Sequence, residues 1–294
     1  TRFLKTIKNI DDQEVFAISS RNLQKAQSVA AHFNVPHSYD DYHEMLKQDL
    51  NFIYIATPHD SHFQIAKEVL EKGVPVLIEK PMTMSLAQTK ELTDLAKEKG
   101  VKVMEALKSL YTPAYRKLKE VLEKEPIGRI IKVETCICNL DERFDSYLYN
   151  PACGGSLYDI GVYNVACLVD ILGSQYQIKD VKKNERDGVN LYTLALLDFN
   201  GVTAIVECGI DRKKASMMKI IGDKGIIEVP LMHRPVEFSV IQDHITRYHQ
   251  DYEYDDLYSQ VIAFTKNYYE DKIMTYSKSL TVAKILEEIR DYPC

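Results

Sequence analysis

The first half of the chain alternates short β-branched runs with longer amphipathic ones, and this rhythm restricts the fold more than any other feature. Val15-Phe16-Ala17-Ile18 reads as a strand; after Asn22, a residue suited to an N-cap, Leu23, Ala26, Ala30 and Phe33 recur at helical spacing. Phe52 to Ala56 is a second strand. Phe63, Ala66, Val69 and Leu70 then stripe a helix ending at Gly73, and Val74 to Ile78 is a strand again. Ser85 and Gln88 form a capping-box pattern ahead of Leu92, Leu95 and Ala96, and Gly100 closes that helix before Val101 to Met104. Strands joined through helices pair in parallel, and a parallel sheet is covered by helices on both faces. The expected architecture is α/β: an N-terminal Rossmann-type doubly wound sheet.

A wound nucleotide-binding half opens with a strand, a Gly-rich turn and a helix. This sequence is already helix-like at Thr1-Arg2-Phe3-Leu4, so a first strand and its glycine loop are expected ahead of it. After a helix following Pro113, the pattern changes to alternating strands: Ile131 to Leu140, Tyr192 to Phe199, Val202 to Ile210, Met217 to Ile221, Ile226 to Val229 and Val236 to Ile241. Asn200-Gly201 marks a tight hairpin. Helices are expected over 156–172, 255–270 and 279–291. The predicted division is a dinucleotide-binding domain over 1–112 and, over 113–294, a substrate-binding α+β domain on an open, mostly antiparallel sheet.

Of 294 residues, 37 are basic and 43 acidic, a net charge of −6 that lacks the basic excess of a nucleic-acid binder. No apolar run is long enough for a membrane span. Six scattered cysteines (Cys136, Cys138, Cys153, Cys167, Cys208, Cys294) suggest reduced thiols and a cytoplasmic protein. Cys136 and Cys138, two apart in a strand, face one side and read as half-buried apolar residues. His59 and His62 sit one helical turn apart without a convincing third ligand, so no metal is expected.

Ligands of an open parallel sheet bind beyond the carboxyl ends of its strands. The first of those ends offers Ser20 and Arg21. A guanidinium there matches the 2′-phosphate of NADP, with NAD as the alternative. The next offers Thr57-Pro58-His59, with His62 beyond, and the third Glu79-Lys80-Pro81; all of these are read as cofactor contacts. Proline holds the residue before it extended, which projects Lys80 towards the crevice. In Cys153-Gly154-Gly155-Ser156-Leu157-Tyr158-Asp159-Ile160-Gly161-Val162-Tyr163, paired glycines permit a tight turn into a helix that carries Asp159 and Tyr163 on one face.

The Ala-Thr-Pro-His strand end, the segment around Glu79-Lys80-Pro81, Met104-Glu105-Ala106 and the Gly154-to-Tyr163 run, in this order, resemble the Gfo/Idh/MocA family of nicotinamide-dependent oxidoreductases. Most members carry His where this chain has Tyr163; the Tyr form resembles the dimeric dihydrodiol dehydrogenase and NADP-dependent D-xylose dehydrogenase branch. The resemblance implies that Lys80 and Tyr163 flank the nicotinamide with Asp159 nearby. It also implies a homo-oligomer, a dimer or dimer of dimers, through the free face of the C-terminal sheet. Lys108 and Leu110 depart from the Trp and Arg of that branch, so its substrate does not carry over.

The expected reaction is reversible oxidation of a secondary alcohol in a sugar, polyol or cyclic diol. Tyr163 takes the hydroxyl proton, and Lys80 close by favours the phenolate. The alternative within the resemblance is a non-catalytic, dinucleotide-sensing regulatory protein.

Overall fold

The structure, a computed structural model, describes residues 1–266 and 272–293. Helix α1 (Arg2–Ile7) leads into β1 (Ala17–Ser19), α2 (Leu23–Phe33), β2 (His37–Tyr39) and the short α3 (Tyr42–Met45). Then come β3 (Ile53–Ile55), α4 (His62–Glu71), β4 (Val76–Glu79), α5 (Leu86–Lys99) and β5 (Val103–Ala106). The caps fall where side-chain chemistry places them. Asn22 accepts from the Lys25 N–H at 3.0 Å, Ser85 from Gln88 at 3.3 Å, and α5 stops at Gly100 with φ 67°.

Every strand pair in this half is parallel: β1 with β2, and β4 between β3 and β5. Val76, Leu77 and Ile78 are fully buried, as a central strand covered on both faces requires. Leu77 joins the core shared with the second half, whereas Val76 and Ile78 pack under α4 and α5. Among the described residues β1–β2 and β3–β4–β5 are separate sheets. In the wound order 3-2-1-4-5-6 they take the places 3-2 and 4-5-6. Between them runs a groove lined by residues of both.

After α6 (Pro113–Leu122), capped by Thr112 with Pro113 in its first turn, come β6 (Ile130–Cys138) and, beyond a π-helical turn at Leu157–Gly161, α7 (Val162–Leu172). The chain continues through β7 (Gln177–Arg186), β8 (Val189–Phe199), β9 (Val202–Gly209), β10 (Lys214–Gly222), β11 (Ile226–Pro230), β12 (Glu237–Ile241) and β13 (Ile245–His249) to α8 (Tyr258–Thr265) and α9 (Tyr276–Asp291). These eight strands form one sheet in the order β13-β12-β11-β10-β6-β9-β8-β7, antiparallel except for β6 against β9. Val133, Ile137, Ala195, Leu197, Val206, Met218 and Ile220 point from one face into the core beneath α7. No helix among the described residues is long and apolar enough to cross a membrane.

The helix expected over 156–172 therefore opens in π rather than α geometry. The one expected over 255–270 is confined to Tyr258–Thr265; residues 267–271, like Cys294, lie outside the described residues. Strands β2, β7 and β13 escape the sequence pattern because each is an edge strand of mostly polar residues. Asn200-Gly201 forms the expected hairpin with φ of 51° and 88°. Gly201→Ala should cost about 1–2 kcal/mol in chemical denaturation. That loss would be purely a backbone effect, since a Cβ there meets nothing within 4 Å.

Candidate active site

Ser20, Arg21, Thr57 and Pro58 all line this groove, together with Tyr147. Four of the expected cofactor contacts thus share one surface. His62 does not join them. It is fully buried, with each ring nitrogen 2.9 Å from a carbonyl, of Thr57 and of Pro81; burial lowers its pKa, so the neutral ring donates its single N–H to one of them and lies wedged between the two strand-end loops. His59 is also buried, its Nδ1 without a partner, and burial foremost, then Lys80, lowers its pKa to about 4.

Lys80 follows β4, and its peptide to Pro81 is cis. Its ammonium donates to Asp159 Oδ1 at 2.8 Å and to the Asp159 carbonyl, and lies 5.2 Å from the centre of the Tyr163 ring. Asp159 lies within the π-helical turn and Tyr163 in the first turn of α7, so both reach the same ammonium. The glycines around them have steric reasons. A Cβ on Gly154 would sit 2.3 Å from the Leu148 carbonyl oxygen, and one on Gly161 would sit 2.9 Å from Cys208 Sγ beneath the turn. Beside Lys80, Glu79 accepts from the Tyr54 hydroxyl, and the Tyr147 hydroxyl donates to Asp159 Oδ1 at 3.3 Å.

The electrostatics correct one expectation. Proximity to Lys80 does not make Tyr163 a phenolate: burial, then Glu79 and Asp159, push its pKa well above the ordinary 10. The Lys80 charge is directed at Asp159, whose carboxylate it holds ionised against burial. Tyr163 is therefore a neutral, buried phenol.

Several site residues carry no motif. Lys108 and Arg2 both bond Asp256, a buried carboxylate contributed from just ahead of α8. His233, whose Nδ1 is 3.1 Å from Ser216 Oγ, lies 6.2 Å from the Tyr163 ring, centre to centre; burial lowers its pKa to about 4. The one detectable signal was Glu105, an acid inside the apolar strand β5. It is buried and accepts the Met82 N–H at 2.9 Å, bracing the turn after Lys80.

Known proteins share both halves of this arrangement. Residues 1–107 match the oxidoreductase family with an NAD-binding Rossmann fold, and residues 115–228 match the GFO/IDH/MocA C-terminal domain. The chain belongs to the Gfo/Idh/MocA family. A scyllo-inositol 2-dehydrogenase (NADP(+)), IolU of Bacillus subtilis, is 30% identical over 98% of this chain and 92% of its own length. Trans-1,2-dihydrobenzene-1,2-diol dehydrogenase of Mus musculus is 32% identical over 78% of this chain and 70% of its own. KijD10, a 3-ketoreductase from Actinomadura kijaniata solved with NADP and TDP-benzene, has the same fold, with a TM-score of 0.90 at 24% identity over 98% of this chain and 92% of that one.

This Gfo/Idh/MocA chain holds its lysine turn through a carboxyl group with an unusual titration. Burial raises the Glu105 pKa from 4.5 to about 7. A carboxyl group with a raised folded-state pKa favours folding most while protonated, and that contribution fades as pH rises from about 4.5 through about 7. Glu105→Gln mimics the protonated form. Between pH 5 and pH 8 it should gain about 2–3 kcal/mol relative to the unmutated chain, measured by denaturant titration at each pH.

Proposed function

We propose that the chain transfers hydride between a nicotinamide dinucleotide, NADP in preference to NAD, and a secondary alcohol or the corresponding carbonyl of a sugar, polyol or cyclic diol. The observation that supports this most is the meeting of Lys80, Asp159 and Tyr163, brought from two elements to the carboxyl end of β4. The residues present suit a dinucleotide: Ser20 and Arg21 stand at a strand end where an adenosine 2′-phosphate would be read, Thr57 and Pro58 line the same groove, and Tyr147 of that lining donates to Asp159, the partner of Lys80. The bound cofactor supplies the carbon that takes or gives hydride.

The protein supplies the proton. In the carbonyl-reducing direction, neutral Tyr163 donates to the substrate oxygen as negative charge develops there; in the oxidising direction the same phenol oxygen takes the proton back. Asp159 fixes the Lys80 ammonium, which keeps a third N–H for the substrate oxygen. Buried His59 stands behind this set rather than in it.

The charge pattern favours an uncharged substrate. Cations Arg2, Lys80 and Lys108 are matched by carboxylates Glu79, Asp159 and Asp256, with Lys80 bonded to Asp159 and the other two cations to Asp256. A neutral polyol meets such a site without leaving a buried charge unpaired. In this reading the chain divides near residue 112 into dinucleotide-binding and substrate-binding domains. Two copies pair through the open sheet face, where Leu194, Leu196, Ile205 and Ile221 are only partly covered.

Tyr163→Phe should lower turnover on the preferred polyol by about a hundredfold or more while dinucleotide binding, followed by NADPH fluorescence, is retained; near-normal turnover would remove Tyr163 from the mechanism. Arg21→Ala should raise KM for NADP by about 10- to 100-fold and leave KM for NAD nearly unchanged. Equal losses with both cofactors would mean that Arg21 does not read the 2′-phosphate.

A further inference from the structure

The open face of the large sheet carries a cluster that the hydride-transfer site does not use. Cys136 and Cys138 alternate along β6, and their sulfurs approach to 4.0 Å. Directly across the β6–β9 pairing from Cys136 stands Glu207; the two sulfurs and a Glu207 carboxylate oxygen all lie within 4.8 Å of one another. Gly209 faces Cys138 across the same pair; a Cβ there would sit 3.4 Å from that sulfur and 3.0 Å from the Tyr192 ring, so a side chain at this position would crowd the sulfur. Glu207 Oε1 already accepts from the Tyr192 hydroxyl at 2.7 Å and from Lys214, which leaves the other carboxylate oxygen for the thiols.

Two linkages could join such sulfurs, and geometry separates them. A disulfide needs Cβ atoms about 3.5–4.5 Å apart. Residues two apart in a strand are separated by about 6.5 Å along it, and β6 is clamped by β9 on one side and β10 on the other, so the backbone cannot pinch. A zinc ion with Zn–S bonds of about 2.3 Å in tetrahedral geometry holds its sulfurs about 3.8 Å apart, close to the spacing already present. Hydrogen bonding to Cys138, followed by burial, keeps the Cys136 thiol protonated without metal.

We propose that Cys136, Cys138 and Glu207 form a binding site for a thiophilic divalent cation of the Zn²⁺ type, with water as the fourth ligand. Binding forms two metal–sulfur bonds and one metal–oxygen bond and releases both thiol protons to solvent. Two thiolates and one carboxylate exceed the charge of the ion by one, and the Lys214 ammonium on Glu207 balances that excess. Arg212 adds little net charge, since it is paired with Asp211 and stacked 3.6 Å over the Tyr192 ring. The proposed site departs from the expectation that the chain holds no metal, which rested on ligand spacing along the sequence. Here the third ligand comes from a neighbouring strand.

The test is titration of the reduced full chain with Cd²⁺, followed by thiolate-to-cadmium charge-transfer absorption. One equivalent should saturate the band, Zn²⁺ should displace the Cd²⁺, and affinity should fall as pH drops from 8 to 6 because protons compete for sulfur. Cys136→Ser and Cys138→Ser should each abolish the band, Cys153→Ser should keep it, and Glu207→Gln should weaken binding by about tenfold or more. A second measurement needs no variant: native mass spectrometry of the unmutated reduced chain should show one Zn²⁺ held per chain. A band that survives in the Cys136→Ser/Cys138→Ser double variant, the lack of any saturable band, or a failure of the unmutated chain to retain Zn²⁺ would overturn the proposal.

Discussion

The ion pair between Lys80 and Asp159 is the constraint on which the site depends. It joins the carboxyl end of β4, in the parallel sheet, to the helical turn that leads into α7, in the second half of the chain. Both side chains are largely withdrawn from water, at 13% and 16% exposure, and in such a setting a paired charge contributes little net stability while an unpaired one is costly. The pair therefore acts mainly through geometry. It sets the approach of Tyr163 to the strand end, and the surrounding devices exist to hold its two partners. Glu105 braces the turn after Lys80, His62 is wedged between that turn and the Thr57 loop, and Gly161 lets the helix settle against β9.

The same pairing decides the protonation state of the tyrosine. An ammonium near a phenol favours the anion only when its charge is not already answered. Asp159 answers Lys80, Glu79 adds a further negative charge, and burial penalises the phenolate. A neutral phenol follows, together with a site whose charges cancel. In the proposed function, recognition of an uncharged polyol rests on hydrogen bonds from fixed groups, where a missing partner is penalised more than a present one is rewarded.

Much of this was legible in the residues. The caps at Asn22 and Ser85, the buried run Val76 to Ile78 and the Asn200-Gly201 turn follow from local chemistry, which neighbours far along the chain do not alter. The strand-end rule points to Ser20, Arg21, Thr57 and Pro58 from the sequence, and these four line one groove. His62 misled because a histidine at a strand end and a histidine buried between two loops look alike until its ring nitrogens have partners. Asp256 and His233 gave no sign, since their meetings with Lys108 and Tyr163 depend on segments far apart along the chain.

The sequence by itself determined the elements, the parallel and antiparallel character of the two sheets and the identity of the reactive groups, because propensity, capping and hydrophobic period are properties of neighbouring residues. Tertiary structure alone decided which charges cancel, which histidine is wedged between two loops and whether Tyr163 holds its proton. It also decided which carboxylate meets the Cys136–Cys138 pair. Those outcomes depend on burial and on distances between remote segments, and pairing along the chain specifies neither until the fold is closed.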